Sequence, residues 1–354
     1  MDAAGNFVVC WATDGMEGRK GSALGVVARR FDAAGAPQGA EFLVNTYTAY
    51  DQTDPSVAMD DSGNFTIAWE SWAQDPGYSQ KTGWNRGIYA QRFLAGGARA
   101  GSEFRVNTYT AGQQMDPSVA VDRDSGELVI AWTSGSGAAH QDGDGAGVYA
   151  QRYLATGAKA GGEFRVNTYT AGNQSQPSVA VNAAGQFFIA WMSDLQDGSG
   201  NGIYGQRYNA DGTPAAGEFR ANTTVESTQI YPQVALSDAG DGIVTWMSGH
   251  TGTSSVYFQL YASGGAADGG ETRVYGPRDG YAGYPTPAMC RDGSFLIGYR
   301  ANDADNNGVY VQRYVPAVPM ASTTTAPFAT TNWTADDGEP DDEEALTLVE
   351  QVFG

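Results

Sequence analysis

Histidine and cysteine are nearly missing from this chain, with two of each among 354 residues. His140 and His250 stand alone in Gly/Ser-rich stretches, with no HExxH and no Ser/His/Asp pattern. That excludes zinc chemistry built on histidine and a serine triad. Cys10 and Cys290 allow one bridge at most, and two buried free thiols is the favoured expectation. Basic charge is also scarce: 20 Lys and Arg face 40 Asp and Glu, a net charge of −20. A field of that sign repels phosphate backbones and anionic bilayers, so nucleic acid is excluded as a partner. No apolar run reaches the roughly 18 residues of a membrane-spanning helix, so membrane insertion is not expected. The start of the chain has neither the basic nor the apolar character of a signal peptide.

What is abundant points to β-structure. Forty-eight glycines, nineteen tyrosines and eight tryptophans with 17% charged residues describe short strands and tight turns. Four segments recur along the chain. The clearest copy reads Pro117-Ser-Val-Ala-Val121, Gly126-Glu-Leu-Val-Ile-Ala-Trp132, Gly147-Val-Tyr-Ala-Gln-Arg-Tyr153 and Glu163-Phe-Arg-Val-Asn-Thr168. Four short strands per repeat, here called A to D, make one antiparallel blade, and a ring of blades hides sheet edges. The B segment recurs at Trp11, Trp69, Trp132, Trp191, Trp246 and, substituted, Tyr299. The C segment appears six times as well, ending at Phe31, Phe93, Tyr153, Tyr208, Tyr261 and Tyr314. The expected fold is therefore all-β, a six-bladed β-propeller of four-stranded antiparallel blades over residues 1–314.

Only five A and five D segments are recognisable. Met1-Asp-Ala-Ala-Gly-Asn-Phe7 has the layout of Met59-Asp-Asp-Ser-Gly-Asn-Phe65, so Met1 sits where an A strand should be ending. The expectation is that the N-terminal strand is missing and that the natural start, with a signal peptide, lies upstream. Residues 315–334 read as a linker or as the ring-closing edge strand. Residues 335–354 form an acidic tail with eight acids and no base, whose Leu346, Val349 and Phe353 would share one face of a short helix and dock on a partner.

Three readings compete for the function. The first places candidate ligand residues in the long connection 70–86, where Trp72, Tyr78 and Trp84 would stack on a glycan or anchor a protein. The loops also carry a calcium expectation. Asp303-Ala-Asp-Asn-Asn-Gly308 alternates oxygen ligands at Asp303, Asp305 and Asn307, as hard-cation loops do. Asp197, Ser199 and Asn201 make a weaker copy, and Asp142 with Asp144 a still shorter one. The repeated Gln-Arg pairs, Gln91-Arg92, Gln151-Arg152, Gln206-Arg207 and Gln312-Arg313, fall at the same place in the C segment and read as architecture. So do most of the acids, which fall at repeat positions.

The combination of a strand ending in Trp, Gly-Ile/Val-Tyr-Ala-Gln-Arg-Phe/Tyr and Glu-Phe-x-Val-Asn-Thr resembles repeats of large bacterial cell-surface and secreted proteins. The resemblance implies an extracellular propeller, often beside calcium-binding or adhesion modules. The leading expectation is thus a non-catalytic extracellular module binding a glycan or another surface protein through its loops. The second is a structural subunit of a surface assembly, docked through its C-terminal tail. The third is a polysaccharide-active enzyme, which would show itself by two close, non-repeated carboxylates at the centre of the molecule.

Overall fold

A computed structural model describes residues 1–14, 23–75, 85–136, 141–249, 253–274, 281–290, 293–302, 308–315 and 329–334. The described residues contain no helix and form six antiparallel sheets, each from strands consecutive in the chain. Sheet two runs Gln52–Met59, Phe65–Trp72, Arg86–Phe93 and Phe104–Arg105. Sheet three runs Gln113–Val121, Leu128–Ser136, Gly147–Tyr153 and Phe164–Arg165, and sheet four Gln174–Val181, Phe187–Asp194, Asn201–Tyr208 and Phe219–Arg220. Gln229–Leu236, Gly242–Ser248, Ser255–Tyr261 and Ala267–Val274 build sheet five. Ala282–Met289, Phe295–Ala301, Gly308–Val315 and Ala329–Thr334 build sheet six.

Sheet one has three strands, Phe7–Asp14, Leu24–Phe31 and Phe42–Leu43, and begins at a B strand. The expected shortage of A strands is present there. The D shortage is not: Ala329–Thr334 pairs with Gly308–Val315 as the fourth strand of sheet six. Residues 329–334 are therefore an outer strand of that sheet and not the missing first strand of sheet one.

The A strands of sheets two to six follow one another in space, those of sheets three to six each packed on the A and B strands of the sheet before and that of sheet two on the B strand of sheet one. The core consequently lies between sheets. Ala68, Ile88 and Val106 of sheet two pack with Val119, Ile130 and Trp132 of sheet three, and the same layer recurs at each junction. Trp69, Trp132, Trp191 and Trp246 are completely buried. Their indole N–H groups reach back to the A strand where the glutamine is free to accept, as from Trp69 to Gln52 Oε1 at 2.9 Å and from Trp132 to Gln114 Oε1 at 3.0 Å. Trp11, lacking an A strand beside it, is only half-buried.

Three repeated devices join the sheets. The Glu of Glu-Phe-x-Val-Asn-Thr latches onto the Thr of the preceding sheet: Glu163 Oε2 accepts from the Thr108 N–H at 2.6 Å and its hydroxyl at 2.8 Å, while Oε1 accepts from Gln141 Nε2 at 2.6 Å. Glu103, Glu218 and Glu271 repeat the latch on Thr46, Thr168 and Thr223. In three Gln-Arg pairs the Arg donates to a turn carbonyl of the next sheet, as Arg207 to Gly240 at 2.9 Å, and Arg30, which follows Arg29 in sheet one, does so to Ala95 at 2.7 Å. Arg92 and Arg152 do the same to Ala155 and Ala210. The Phe after the latch glutamate packs on the aromatic ending the next C strand, as Phe104 on Tyr153 at 5.4 Å.

Because the Glu163 latch closes three hydrogen bonds with one charged acceptor, Glu163→Ala is expected to cost about 1–3 kcal/mol in urea unfolding. Equal stability of the variant and the parent would show that water replaces the latch without loss.

Candidate active site

Each of the five A strands breaks its pairing with the B strand beside it at the residue before proline. Between Thr53↔Glu70 and Ser56↔Ala68 the strand gains a bulge at Asp54-Pro55, and the same skip recurs in the other four. The bulge residues Asp54, Asp116, Gln176, Tyr231 and Tyr284 all adopt the left-handed conformation, with φ between 51° and 56°. For side chains of this size that conformation is strained, and a bulge re-aims the residue that carries it. The proline that follows supplies no amide to the ladder, which suits the break.

At this position the repeat loses its uniformity, and it does so again at the residue following the buried aromatic of the B strand. There the chain carries Glu70, Thr133, Met192, Met247 and Arg300 in sheets two to six. The two positions meet across sheet junctions. The Asp116 N–H donates to Glu70 Oε1 at 2.9 Å, and the Gln176 N–H donates to Thr133 Oγ1 at 3.0 Å. The Thr133 hydroxyl donates to Asp116 Oδ2 at 2.9 Å. Glu70 Oε2 accepts from Arg86 Nη1 at 2.8 Å, and the Arg86 guanidinium lies 4.0 Å from the Trp72 ring centre.

Sheets two and three thus hold Asp54, Glu70, Asp116 and Arg86 in one cluster. Glu70 is 1% exposed and both its oxygens are engaged, so it positions Asp116 and Arg86 and is screened from any ligand. Asp116 is half-buried, and Asp54 is exposed to solvent. Burial pushes the Asp116 carboxyl above the usual range, the Thr133 hydroxyl opposes the rise, and the charge of Asp54 adds to it. Burial likewise pushes Glu70 up to about 7, against the pull of the Asp116 amide and Arg86, with Asp54 and Asp116 adding to the rise.

The Glu70 shift has a stability consequence. Between its ordinary value of 4.5 and about 7 the folded chain holds a proton that the unfolded chain releases. Stability from this group is therefore full below pH 4.5 and falls as the pH rises to 7, by about 3 kcal/mol. Glu70→Gln removes the titration and should flatten that stretch of a stability-against-pH curve measured by denaturant unfolding. An unchanged slope would mean that Glu70 does not carry the proton.

Of the residues singled out from sequence, Trp72 lies at the rim of this cluster, stacked on Arg86 and half-buried. Tyr78 and Trp84 lie outside the described residues, as do Asp303, Asp305 and Asn307 and the tail residues Leu346, Val349 and Phe353. The calcium candidates that are described do structural work. Asp142 and Asp197 sit where Asp75 sits in sheet two, each carboxylate turned onto a glycine of the C strand, at Gly87, Gly147 and Gly202. Asp75 accepts from the Tyr89 hydroxyl and from Asn107 Nδ2, both at 2.9 Å. Asp142 and Asp197 accept backbone amides of their own turns, from Asp144 and Ser199. Asn201 opens a strand and pairs with Asp194. Among the described residues no group of three or more His, Cys, Asp or Glu side chains is arranged to hold a metal ion. Cys10 and Cys290 are free and half-buried, and burial pushes the Cys10 thiol up to about 11.

The successive four-stranded sheets and their inner row of A strands define a propeller-like all-β fold. No family model matches the chain, and no curated protein matches its sequence. Solved structures do. A protein of unknown function from Dyadobacter fermentans DSM 18053 superposes with a TM-score of 0.57 at 12% identity, over 87% of this chain and 91% of that one. The α-L-arabinanase of Penicillium chrysogenum, solved with arabinobiose, gives 0.56 at 14% identity, over 87% and 89%. The polysaccharide lyase Uly1 gives 0.54 at 11% identity, over 95% and 80%.

These neighbours correct the expectation of a non-catalytic binding module whose individuality lies in its loops. Two of the three are polysaccharide-cleaving enzymes by name, and the non-repeated residues of this chain cluster on its inner strands.

Proposed function

We propose that the protein is a polysaccharide-active enzyme, a glycoside hydrolase in which Asp54 and Asp116 are the reacting carboxylates, built on six blades of one propeller. The observation that carries this reading is the pair of carboxylates at one bulge position of adjacent strands, where the other sheets place Gln176, Tyr231 and Tyr284. Hydrolysis of a glycosidic bond calls for two carboxyl groups, one proton-bearing acid and one acting on water or on the sugar. Asp116, pushed up by burial, suits the acid. Asp54, exposed, supplies the second group.

The charge of the site favours hydrolysis of a neutral polymer over elimination from an acidic one. An eliminating enzyme must seat a uronate beside cations, whereas here three carboxyl groups share Arg86, which already binds Glu70. The overall charge of −20 works the same way. A polymer substrate also accords with the expected extracellular location, and no helix among the described residues is long and apolar enough to cross a membrane.

The test is a panel of neutral polysaccharides, including arabinan, xylan, mannan and β-glucan, together with polygalacturonate. New reducing ends from a neutral polymer are expected. Release of unsaturated products from polygalacturonate, or no cleavage of any polymer, would overturn the proposal.

A further inference from the structure

We propose that Tyr231, Tyr281 and Tyr284 form a stacking subsite for a neutral sugar ring, on the side of the site away from Asp54 and Asp116. The inference deepens the hydrolase reading and rests on it for the identity of the polymer. The Tyr231 and Tyr284 rings lie 4.9 Å apart at 37°. The Tyr284 side chain interacts electrostatically with those of Tyr231 and Tyr281. Gly283 brings Tyr281 and Met247 together over bare backbone, since a Cβ there would stand 2.7 Å from the Tyr281 hydroxyl oxygen and 2.6 Å from Met247 Sδ. The arrangement is an aromatic face with the Arg300 charge acting on Tyr281, and it includes no carboxylate.

The frame does not ask for tyrosine at these places. The equivalent bulges carry Asp54, Asp116 and Gln176 with the same backbone conformation. Tyrosines that serve the frame are buried: Tyr89, Tyr149, Tyr204, Tyr257 and Tyr310 are 7% exposed or less. Tyr284, by contrast, is 49% exposed although its backbone is strained. A large ring kept in water in a costly conformation is what a ligand-binding surface requires and a packing role does not. Sugars present C–H faces that pack on aromatic rings and hydroxyl rims that exchange hydrogen bonds with phenols, and neither contact needs charge.

The test separates binding from cleavage. Binding of the neutral polysaccharides is measured by affinity electrophoresis with Asp116→Asn as the parent, so that the polymer stays intact. The parent is expected to be retarded by at least one neutral polymer and not by polygalacturonate. Adding Tyr284→Ala or Tyr231→Ala should weaken retardation about tenfold, while Tyr284→Trp keeps it within about threefold. In the active enzyme Tyr284→Ala should raise KM about tenfold with kcat changed less than about threefold. Thermal unfolding of Tyr284→Trp at the parent's temperature guards against a folding defect. No retardation by any neutral polymer, or retardation indifferent to both alanine variants, overturns the subsite. Tyrosine-dependent retardation without cleavage upholds the subsite and sinks the hydrolase, and cleavage untouched by the tyrosine variants does the reverse.

Discussion

Asp116→Asn is expected to lower kcat on the preferred neutral polysaccharide by about 10²–10⁴-fold while leaving the fold intact. The asparagine keeps the shape of the side chain and an oxygen to accept from the Thr133 hydroxyl, and the Asp116 N–H still donates to Glu70. What disappears is the proton for the departing sugar oxygen. The loss should therefore depend on the leaving group. An aryl glycoside with an acidic phenol needs little protonation, and on it Asp116→Asn should retain far more activity than on the polymer. Asp54→Asn should impair both substrates, because the second carboxylate acts whatever the leaving group. The pH profile carries the same sign. Asp116 works protonated, burial raises its pKa, and activity should fall on the alkaline side as the proton is lost. In Asp116→Asn that alkaline limb should vanish. Full activity of Asp116→Asn on the polymer would remove the residue from the mechanism.

Much of the frame is legible in the sequence because it is written six times. The B strand with its tryptophan, the C strand with its Gln-Arg pair and the latch segment each mark a strand or a junction. Even the reading of Gln-Arg as architecture holds, since Arg92, Arg152 and Arg207 bond turn carbonyls of the next sheet. The outer strand of sheet six was legible only as one of two alternatives for residues 315–334, because Ala329–Thr334 shares no residue pattern with Glu-Phe-x-Val-Asn-Thr and owes its place to pairing with Gly308–Val315. The site escaped for a different reason. Repetition marks architecture, yet the signal for the site lies inside the repeated words and not in the long loops. The residue before the A-strand proline reads Asp54, Asp116, Gln176, Tyr231, Tyr284, and the residue after the B-strand aromatic reads Ala12, Glu70, Thr133, Met192, Met247, Arg300. Simple strand alternation cannot show that these positions meet, because the bulge shifts register between them. Only the junction geometry, with the Asp116 amide on Glu70, makes them one site.

Trp132→Ala is expected to destabilise the protein by about 3–5 kcal/mol. Trp132 is completely buried, and its indole N–H satisfies Gln114, itself without exposure. Truncation leaves a cavity lined by two sheets, since Trp132 shares its cluster with Ala68, Ile88 and Val106 of sheet two as well as Ile130 and Tyr149 of its own. It also leaves the Gln114 amide oxygen without its donor, which adds to the cavity term. Trp11 holds the same place in the repeat but is half-buried beside a three-stranded sheet. Burial decides the cost, so Trp11→Ala should lose less than half as much. Urea unfolding monitored by far-ultraviolet circular dichroism measures both. Because the core lies between sheets, the Trp132→Ala transition should shift to lower urea as a whole, sheets two to four weakening together. A biphasic curve, with part of the signal unmoved, would mean that the sheets unfold separately and that the latches, not the aromatic layers, transmit cooperativity. Equal losses at Trp11 and Trp132 would refute the burial argument itself.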